Sequence, residues 1–119
     1  QVIQNAQTIA EAQAEAGFPV ACSKLGYTRS HQVFLDYGGY KRGRTVALKL
    51  EKANIIVDSG VRVGVCEVTR RGMKKAEMFR IAEFMERAFI KRESPAEVKR
   101  DVKKFMEDFQ KIEYCFWRV

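Results

Sequence analysis

The stretch NIIVDSGVRVGV, residues 54–65, carries the clearest signal for the fold of this chain. NIIV (54–57) and VRVGV (61–65) are compact runs rich in β-branched residues, which favour strands. Between them, DSG (58–60) has the composition of a tight turn. The stretch therefore predicts two neighbouring strands joined by a short turn, with Arg62 between two valines of the second strand.

Helices are predicted on both sides of this stretch. Residues 2–16 have apolar positions at helical spacing, and Gly17 follows as a residue suited to the left-handed conformation that ends helices. Residues 74–91 repeat apolar residues at intervals of three and four most clearly. The SPAE sequence that starts at Ser94 combines an N-cap serine, a proline at the first helical position and the glutamate of a capping box. A shorter helix is predicted over residues 45–52.

The remaining segments predict short strands and a loop. HQVFLDY (31–37) is β-branched and aromatic enough for a strand, and FPVAC (18–22) is a candidate for another. Gly38 and Gly39 end the first of these, and YKRGR (40–44) is predicted to be loop. The resulting order predicts an α/β (α+β two-layer) fold, in which a small sheet of short strands packs against helices. Residues 1–119 have the length of one domain.

The chain is basic, with 22 Lys and Arg against 15 Asp and Glu and a formal net charge of +7. Such an excess can attract nucleic acid or another polyanion. The basic residues are nevertheless dispersed among acidic ones, and no block of like charges is long enough to form a basic tail. A solvated surface is therefore the favoured interpretation, and nucleic acid is not the favoured partner.

The cysteines and the termini bear on the compartment. Cys22, Cys66 and Cys115 form no CxxC pair, and with His31 as the single histidine they predict no structural metal site. The pattern favours a reduced, intracellular setting with buried thiols. No signal peptide and no apolar run of membrane-spanning length is visible, so a cytoplasmic protein without a membrane partner is predicted. Gln1 lies inside a predicted helix already under way, which predicts a longer polypeptide or a separate N-terminal part.

Catalytic motifs are scarce, and Arg62 is the residue that calls for an explanation. A nucleophile-and-base site would have to use His31, which opens a predicted strand and is interpreted as a structural or surface residue. Neither a GxSxG nor a GxxxxGK[ST] motif occurs. The planar guanidinium of Arg62 matches a carboxylate bidentately and needs a partner if it is buried. Two interpretations remain open from the residues alone: a reader of an amino-acid carboxylate, or an exposed edge-strand arginine.

The longer stretch SGVRVGVCEVTRRGM (59–73) resembles a motif near the C-terminus of serine hydroxymethyltransferases, S-G-[IV]-R-[IVL]-G-T-x-x-[VIL]-T-x-R-G-[FM]. Three further stretches resemble the same family in the same order along the chain: QVIQNAQTIAEAQAEAGFPV, SHQVFLDY and LEKANIIV. The ending KIEYCFW is most similar to archaeal members. The resemblance therefore extends over nearly the whole chain.

This resemblance implies the small C-terminal domain of a fold-type I pyridoxal-phosphate enzyme. Enzymes of the family interconvert serine and glycine and pass a one-carbon unit to tetrahydrofolate or a modified pterin, usually as homodimers or larger assemblies. The resemblance implies that Arg62 pairs with the substrate carboxylate and that Arg71 supports the site. It implies no catalytic and no cofactor-binding residue in this chain.

Three departures from the family pattern qualify this expectation. The chain has no large domain with the lysine that forms the Schiff base, and none of its lysines lies in a family-like cofactor motif. Asp58 leads directly into Ser59, where the family has an additional loop. Val65 and Cys66 stand where the family has threonine and proline or glutamine. We therefore expect a fragment, split piece or truncated relative that binds no pyridoxal phosphate alone, is inactive alone, and acts with a large pyridoxal-phosphate-binding domain or chain. The alternative is a non-catalytic basic α/β module that binds nucleic acid or a protein partner.

Overall fold

The computed structural model describes residues 1–113 of the chain. Within this range, five α-helices surround one antiparallel pair of strands: α1 (Val2–Ala16), β1 (Gln32–Phe34), α2 (Tyr40–Lys52), β2 (Arg62–Gly64), α3 (Cys66–Arg70), α4 (Lys75–Met85) and α5 (Pro95–Met106). A π-helical turn (Glu86–Ile90) continues α4, and short 3-10 turns lie at Ser23–Leu25 and Glu107–Phe109. The α+β fold class predicted from the sequence is confirmed.

The three strongest helix predictions are confirmed, with one difference in capping. Gly17 ends α1 with a φ of 101°, in the left-handed region that glycine adopts without strain. α5 begins after Ser94 as expected, but the side chain of Ser94 makes no capping hydrogen bond. At the start of a different helix, α4, a carboxylate does form a cap: Glu77 accepts a hydrogen bond of 2.8 Å from the backbone N–H of Lys74. Such a contact satisfies an N–H group that has no partner within the helix.

β1 pairs with β2, so the predicted pairing of residues 61–65 with residues 54–57 is wrong. Phe34 lies opposite Arg62, and Val33 lies opposite Val63. Both valines are buried, whereas Phe34 and Arg62 are exposed, as the alternation of side chains along a strand requires. The candidate strand at residues 18–22 is reduced to a single bridge between Val20 and Leu35.

Residues 54–57 are extended coil rather than a strand. Asn54 takes a φ of 65° directly after α2, and the N–H of Ile55 turns back to the carbonyl oxygen of Leu50 at 3.0 Å. The segment then runs along the surface, where Ile56 is 74% exposed. The N–H groups of Asn54 and Ile55 donate back to Glu51 and Leu50 at the end of α2, so the start of the run is used to end that helix.

The prediction of a loop at residues 40–44 is also wrong, because α2 already begins at Tyr40. Gly38 and Gly39 have φ values of 79° and 143° and provide the break before the helix. Gly43, which resembles a helix breaker in the sequence, is buried inside α2. A Cβ atom there would overlap the carbonyl oxygen of Ser59, so glycine allows the turn at residues 58–60 to cross the helix.

The core lies between α1, α4 and the buried face of the strand pair. Ile9, Leu35 and Met78 are among its fully buried side chains. The thiols differ from the prediction of burial, because Cys22 and Cys66 are exposed; Cys115 lies outside the described residues, as does most of the KIEYCFW ending. Across residues 1–113, no helix combines the length and the apolar character that crossing a membrane requires.

Candidate carboxylate-binding site

Arg62 opens β2 and lies on the solvent face of the strand pair. Its neighbours Val61 and Val63 point into the core, so the alternation of the strand directs the guanidinium outward. The Arg62 side chain is 56% exposed. The guanidinium is therefore not buried, and this exposure agrees with both interpretations left open by the sequence, a reader of an amino-acid carboxylate and an exposed edge-strand arginine.

Asp58 is the partner of Arg62 within the described residues. One carboxylate oxygen, Oδ2, lies 2.8 Å from Nε and 2.7 Å from Nη2 of the arginine. The other oxygen, Oδ1, accepts the backbone N–H of Arg62 at 2.9 Å. The backbone hydrogen bond and the guanidinium of Arg62 lower the pKa of Asp58, so the carboxylate is ionised at neutral pH.

The turn that carries Asp58 is tightly fixed. The N–H of Val61 donates to the carbonyl oxygen of Asp58 at 2.9 Å, which closes the turn. Val61 has a φ of 53°, a strained conformation for a β-branched residue, and its side chain is fully buried. The carbonyl of Ser59 packs against the backbone of α2 at Gly43. The core and α2 therefore hold the Arg62 backbone in place.

Arg71, the second predicted site residue, makes different contacts. It follows α3 with 29% of its side chain exposed, and its Nε donates to Glu67 at 3.0 Å. Its Nη1 donates to the carbonyl oxygen of Phe109 at 3.3 Å. Glu67 also pairs with Arg70, and these two arginines lower the pKa of Glu67, Arg70 contributing more. Arg71 thus ties the end of α3 to the chain that follows α5.

Within residues 1–113, Arg62 and Arg71 have no hydrogen-bonding partner in common. Arg62 is fixed by the turn before β2, whereas Arg71 is fixed by α3 and the segment after α5. Arg62 lies on the exposed strand face and is paired there with Asp58. Arg71 stabilises the segment after α5 through its hydrogen bond to the Phe109 carbonyl.

His31 acts through its backbone, because its carbonyl oxygen accepts the N–H of Val65 at 3.0 Å and extends the strand pair. Its side chain is exposed. In the part of the chain that the structure describes, no group of three or more His, Cys, Asp or Glu residues is arranged to hold a metal ion.

Two comparisons with known proteins identify relatives of the chain along almost its whole length; no family model matches it. The serine hydroxymethyltransferase of Methanocella arvoryzae is 39% identical over 131 residues, which cover 98% of this chain and 31% of that protein. The serine hydroxymethyltransferase of Pyrobaculum arsenaticum is 45% identical over 128 residues, which cover 97% of this chain and 30% of that protein. The chain is related to the serine hydroxymethyltransferases. The resemblance inferred from residues 59–73 is thereby confirmed, including the similarity to archaeal members.

The fold agrees with this relationship. An L-threonine transaldolase from Pseudomonas fluorescens, solved in its internal aldimine state, superimposes with a TM-score of 0.84 at 29% identity. The match covers 92% of this chain and 27% of the transaldolase. The chain thus spans slightly less than a third of each of these proteins, which is consistent with a C-terminal fragment of a fold-type I pyridoxal-phosphate enzyme.

The alignments also show that the relatives contain residues that this chain lacks. The alignment with the Methanocella arvoryzae protein extends over 131 positions against 119 residues here, so at least 12 positions have no counterpart in this chain. The number of these positions is comparable to the length of the loop that the sequence resemblance expects between Val57 and Ser59. In the structure, the tight turn with the Asp58–Arg62 ion pair occupies this point.

The side chains of this chain do not fit a covalently held pyridoxal phosphate. A lysine that forms a Schiff base is held in a desolvated site, where its amine is neutral and nucleophilic. Every lysine of this chain is exposed. The strand face beside Arg62 presents Phe34, Gln32 and Gly64 and no lysine.

The sequence did not reveal Asp58 as a partner of Arg62. Asp58 was interpreted only as a turn residue, because the DSG sequence is typical of turns. The available signal was the spacing of an aspartate four residues before an arginine across a glycine, which lets the carboxylate reach both the backbone N–H and the guanidinium. Glu67, which binds Arg70 and Arg71, was also missed because the short helix α3 was not predicted.

Proposed function

We propose that residues 1–119 form the small C-terminal domain of a serine hydroxymethyltransferase-like enzyme, in which Arg62 pairs with the carboxylate of serine or glycine. One observation carries this proposal: the motif shared with the family places an exposed guanidinium on a rigid strand face. A planar guanidinium binds a carboxylate through two parallel hydrogen bonds and so fixes its orientation. Arg71 supports the site indirectly, by tying the end of α3 to the segment that follows α5.

The rest of the active site belongs, in this proposal, to a large domain or a separate chain. Relatives about three times as long support this division, as does the exposure of every lysine here. The large part holds pyridoxal phosphate, which supplies an electron sink for breaking a bond at the substrate Cα. The chain described here orients the amino acid through its carboxylate and is inactive alone. We further propose a cytoplasmic homodimer whose one-carbon acceptor is tetrahydrofolate or a modified pterin.

Complementation tests this proposal. The Pyrobaculum arsenaticum relative, shortened by the 30% that this chain matches, supplies the large part. Mixed with this chain, it is expected to show a serine-dependent change in cofactor absorbance that neither part shows alone. Arg62→Gln should weaken serine binding by about 1.5–3 kcal/mol, the range for hydrogen bonds to charged groups. Arg70→Gln is the matched control, since Arg70 is an exposed arginine paired with Glu67.

Two outcomes would contradict the proposal in different ways. Failure of the two parts to associate would remove the role as a completing domain. Association with unchanged serine binding in Arg62→Gln would keep the domain role and remove Arg62 from the carboxylate site.

A non-catalytic polyanion-binding module is the second candidate function. The favouring observation is a shallow groove along α5 lined chiefly by basic side chains: Lys99, Arg100, Lys103 and Lys104. The acidic Glu107 lies in the same groove and weakens its potential. Binding to a polynucleotide that falls steeply with added salt would favour this function, because counterions are released from each neutralised phosphate.

A further inference from the structure

Asp58 already occupies one hydrogen-bonding edge of the guanidinium that the proposed function assigns to a substrate. Its Oδ2 bridges Nε and Nη2 of Arg62 at 2.8 and 2.7 Å, on the side edge of the planar group. The same edge offers two parallel N–H groups to an external carboxylate. An external carboxylate therefore has to displace Asp58 or use the outer edge of the guanidinium, which is formed by Nη1 and the second N–H of Nη2.

The turn geometry makes displacement of Asp58 unfavourable. Oδ1 is bound to the backbone N–H of Arg62, and the carbonyl oxygen of Asp58 accepts the N–H of Val61. The neighbouring Ser59 carbonyl is packed against Gly43 of α2. A carboxylate held in this way has a high effective concentration at Arg62, as a tethered ligand has over a free one.

Binding at the outer edge is weakened by charge. A ligand carboxylate there would share one guanidinium with the ionised Asp58, and two carboxylates at one cation repel each other. Asp58 also neutralises the charge that attracts the ligand. The two routes to Arg62 are therefore both less favourable than they would be at an unpaired arginine.

We propose that Asp58 is an internal competitor for the carboxylate-binding edge of Arg62, supplied by the shortened turn before β2. The inference rests on the proposed function of Arg62. It adds that the affinity of this chain for a carboxylate is limited by the residue directly before the family motif. A partner or substrate that makes full use of Arg62 must first move Asp58 off the guanidinium.

Asp58→Asn in the 119-residue chain tests this inference. Asparagine keeps an oxygen for the backbone N–H of Arg62 but loses the negative charge that binds the guanidinium. The probe is acetate at constant ionic strength, followed by the NMR signal of the arginine Nε–H groups, with Arg62→Gln assigning the signal. Asp36→Asn is the matched control, because Asp36 caps the N–H of Gly38 in another turn at 3.0 Å.

Because exposed ion pairs are worth about 0.2–1 kcal/mol, acetate should bind at Arg62 roughly 1.4- to fivefold more tightly in Asp58→Asn than in the wild type. Asp36→Asn should behave as the wild type. Equal acetate affinity in the wild type and Asp58→Asn would overturn the inference while leaving Arg62 as a carboxylate-binding residue. A signal at Arg62 that does not respond to acetate in either protein would also overturn it, and the complementation experiment would still decide the proposed function separately.

Discussion

Gly43→Ala is expected to destabilise the fold, although alanine is the better helix former. In an exposed helix position this change would stabilise by about 0.8–1 kcal/mol. Here the new Cβ would overlap the carbonyl oxygen of Ser59 and lie 3.1 Å from Cγ2 of Val61. Overpacking in a tight site costs about 1–3 kcal/mol. The obstructing atom belongs to a backbone turn closed by the Val61–Asp58 hydrogen bond, so the upper part of this range applies.

The net expectation is a free energy of unfolding lowered by about 1–2 kcal/mol, the difference between the overpacking cost and the gain in helix propensity. Urea denaturation followed by far-UV circular dichroism measures it. Gly64→Ala is the control, because its Cβ would be 4.0 Å from Cδ2 of His31, an ordinary contact; it should change stability by less than about 0.5 kcal/mol. A Gly43→Ala protein as stable as the wild type would refute the close approach of the turn to α2.

Two further predictions concern the arginine pairs. Arg71→Gln should lower the free energy of unfolding by about 1 kcal/mol, because it removes the hydrogen bond to the Phe109 carbonyl. Arg70→Gln is the control: it removes an exposed ion pair and should change the free energy of unfolding by less than about 0.5 kcal/mol. Urea denaturation measures both variants. The pKa of Asp58 is lowered by Arg62, so the stabilisation from this carboxylate is present above its unfolded-state pKa and is lost as the pH falls through the lower folded-state pKa. At neutral pH the wild type should exceed Asp58→Asn in free energy of unfolding by less than about 1 kcal/mol, because the pair is half exposed. This difference should shrink below about pH 4, and a difference that stays constant into stronger acid would contradict the ion pair.

The helices α1, α4 and α5 could be predicted because they follow from local sequence signals. Apolar spacing fixed α1 and α4, and proline after Ser94 fixed the start of α5. The position of Arg62 between two valines of a strand could also be predicted, and the structure shows that the valines are buried and that the arginine points to solvent. These signals depend only on neighbouring residues, so the tertiary structure did not override them.

The pairing of β2 and the start of α2 depend on distant contacts and could not be predicted locally. The run at residues 54–57 has strand composition, but composition does not indicate which segment β2 pairs with, and that segment is β1. The sequence predicts a loop at residues 40–44 because the structural reason for Gly43, the carbonyl of Ser59, lies 16 residues further along the chain. The ion pair between Asp58 and Arg62 was missed for the same reason, since it depends on the shape of the turn.

The contacts within the motif limit what sequence similarity can say about catalysis. Val61 and Val63 fill the core, Thr69 bonds to Asn5 at 2.9 Å across the core, and Arg71 secures the segment after α5. Each of these residues contributes to the fold whether or not a substrate binds, so their match to the family supports the fold. Arg62 is the member of this group whose side chain is directed to solvent. The evidence for a substrate role therefore rests on Arg62, and the residue that most directly opposes that role is the neighbouring Asp58.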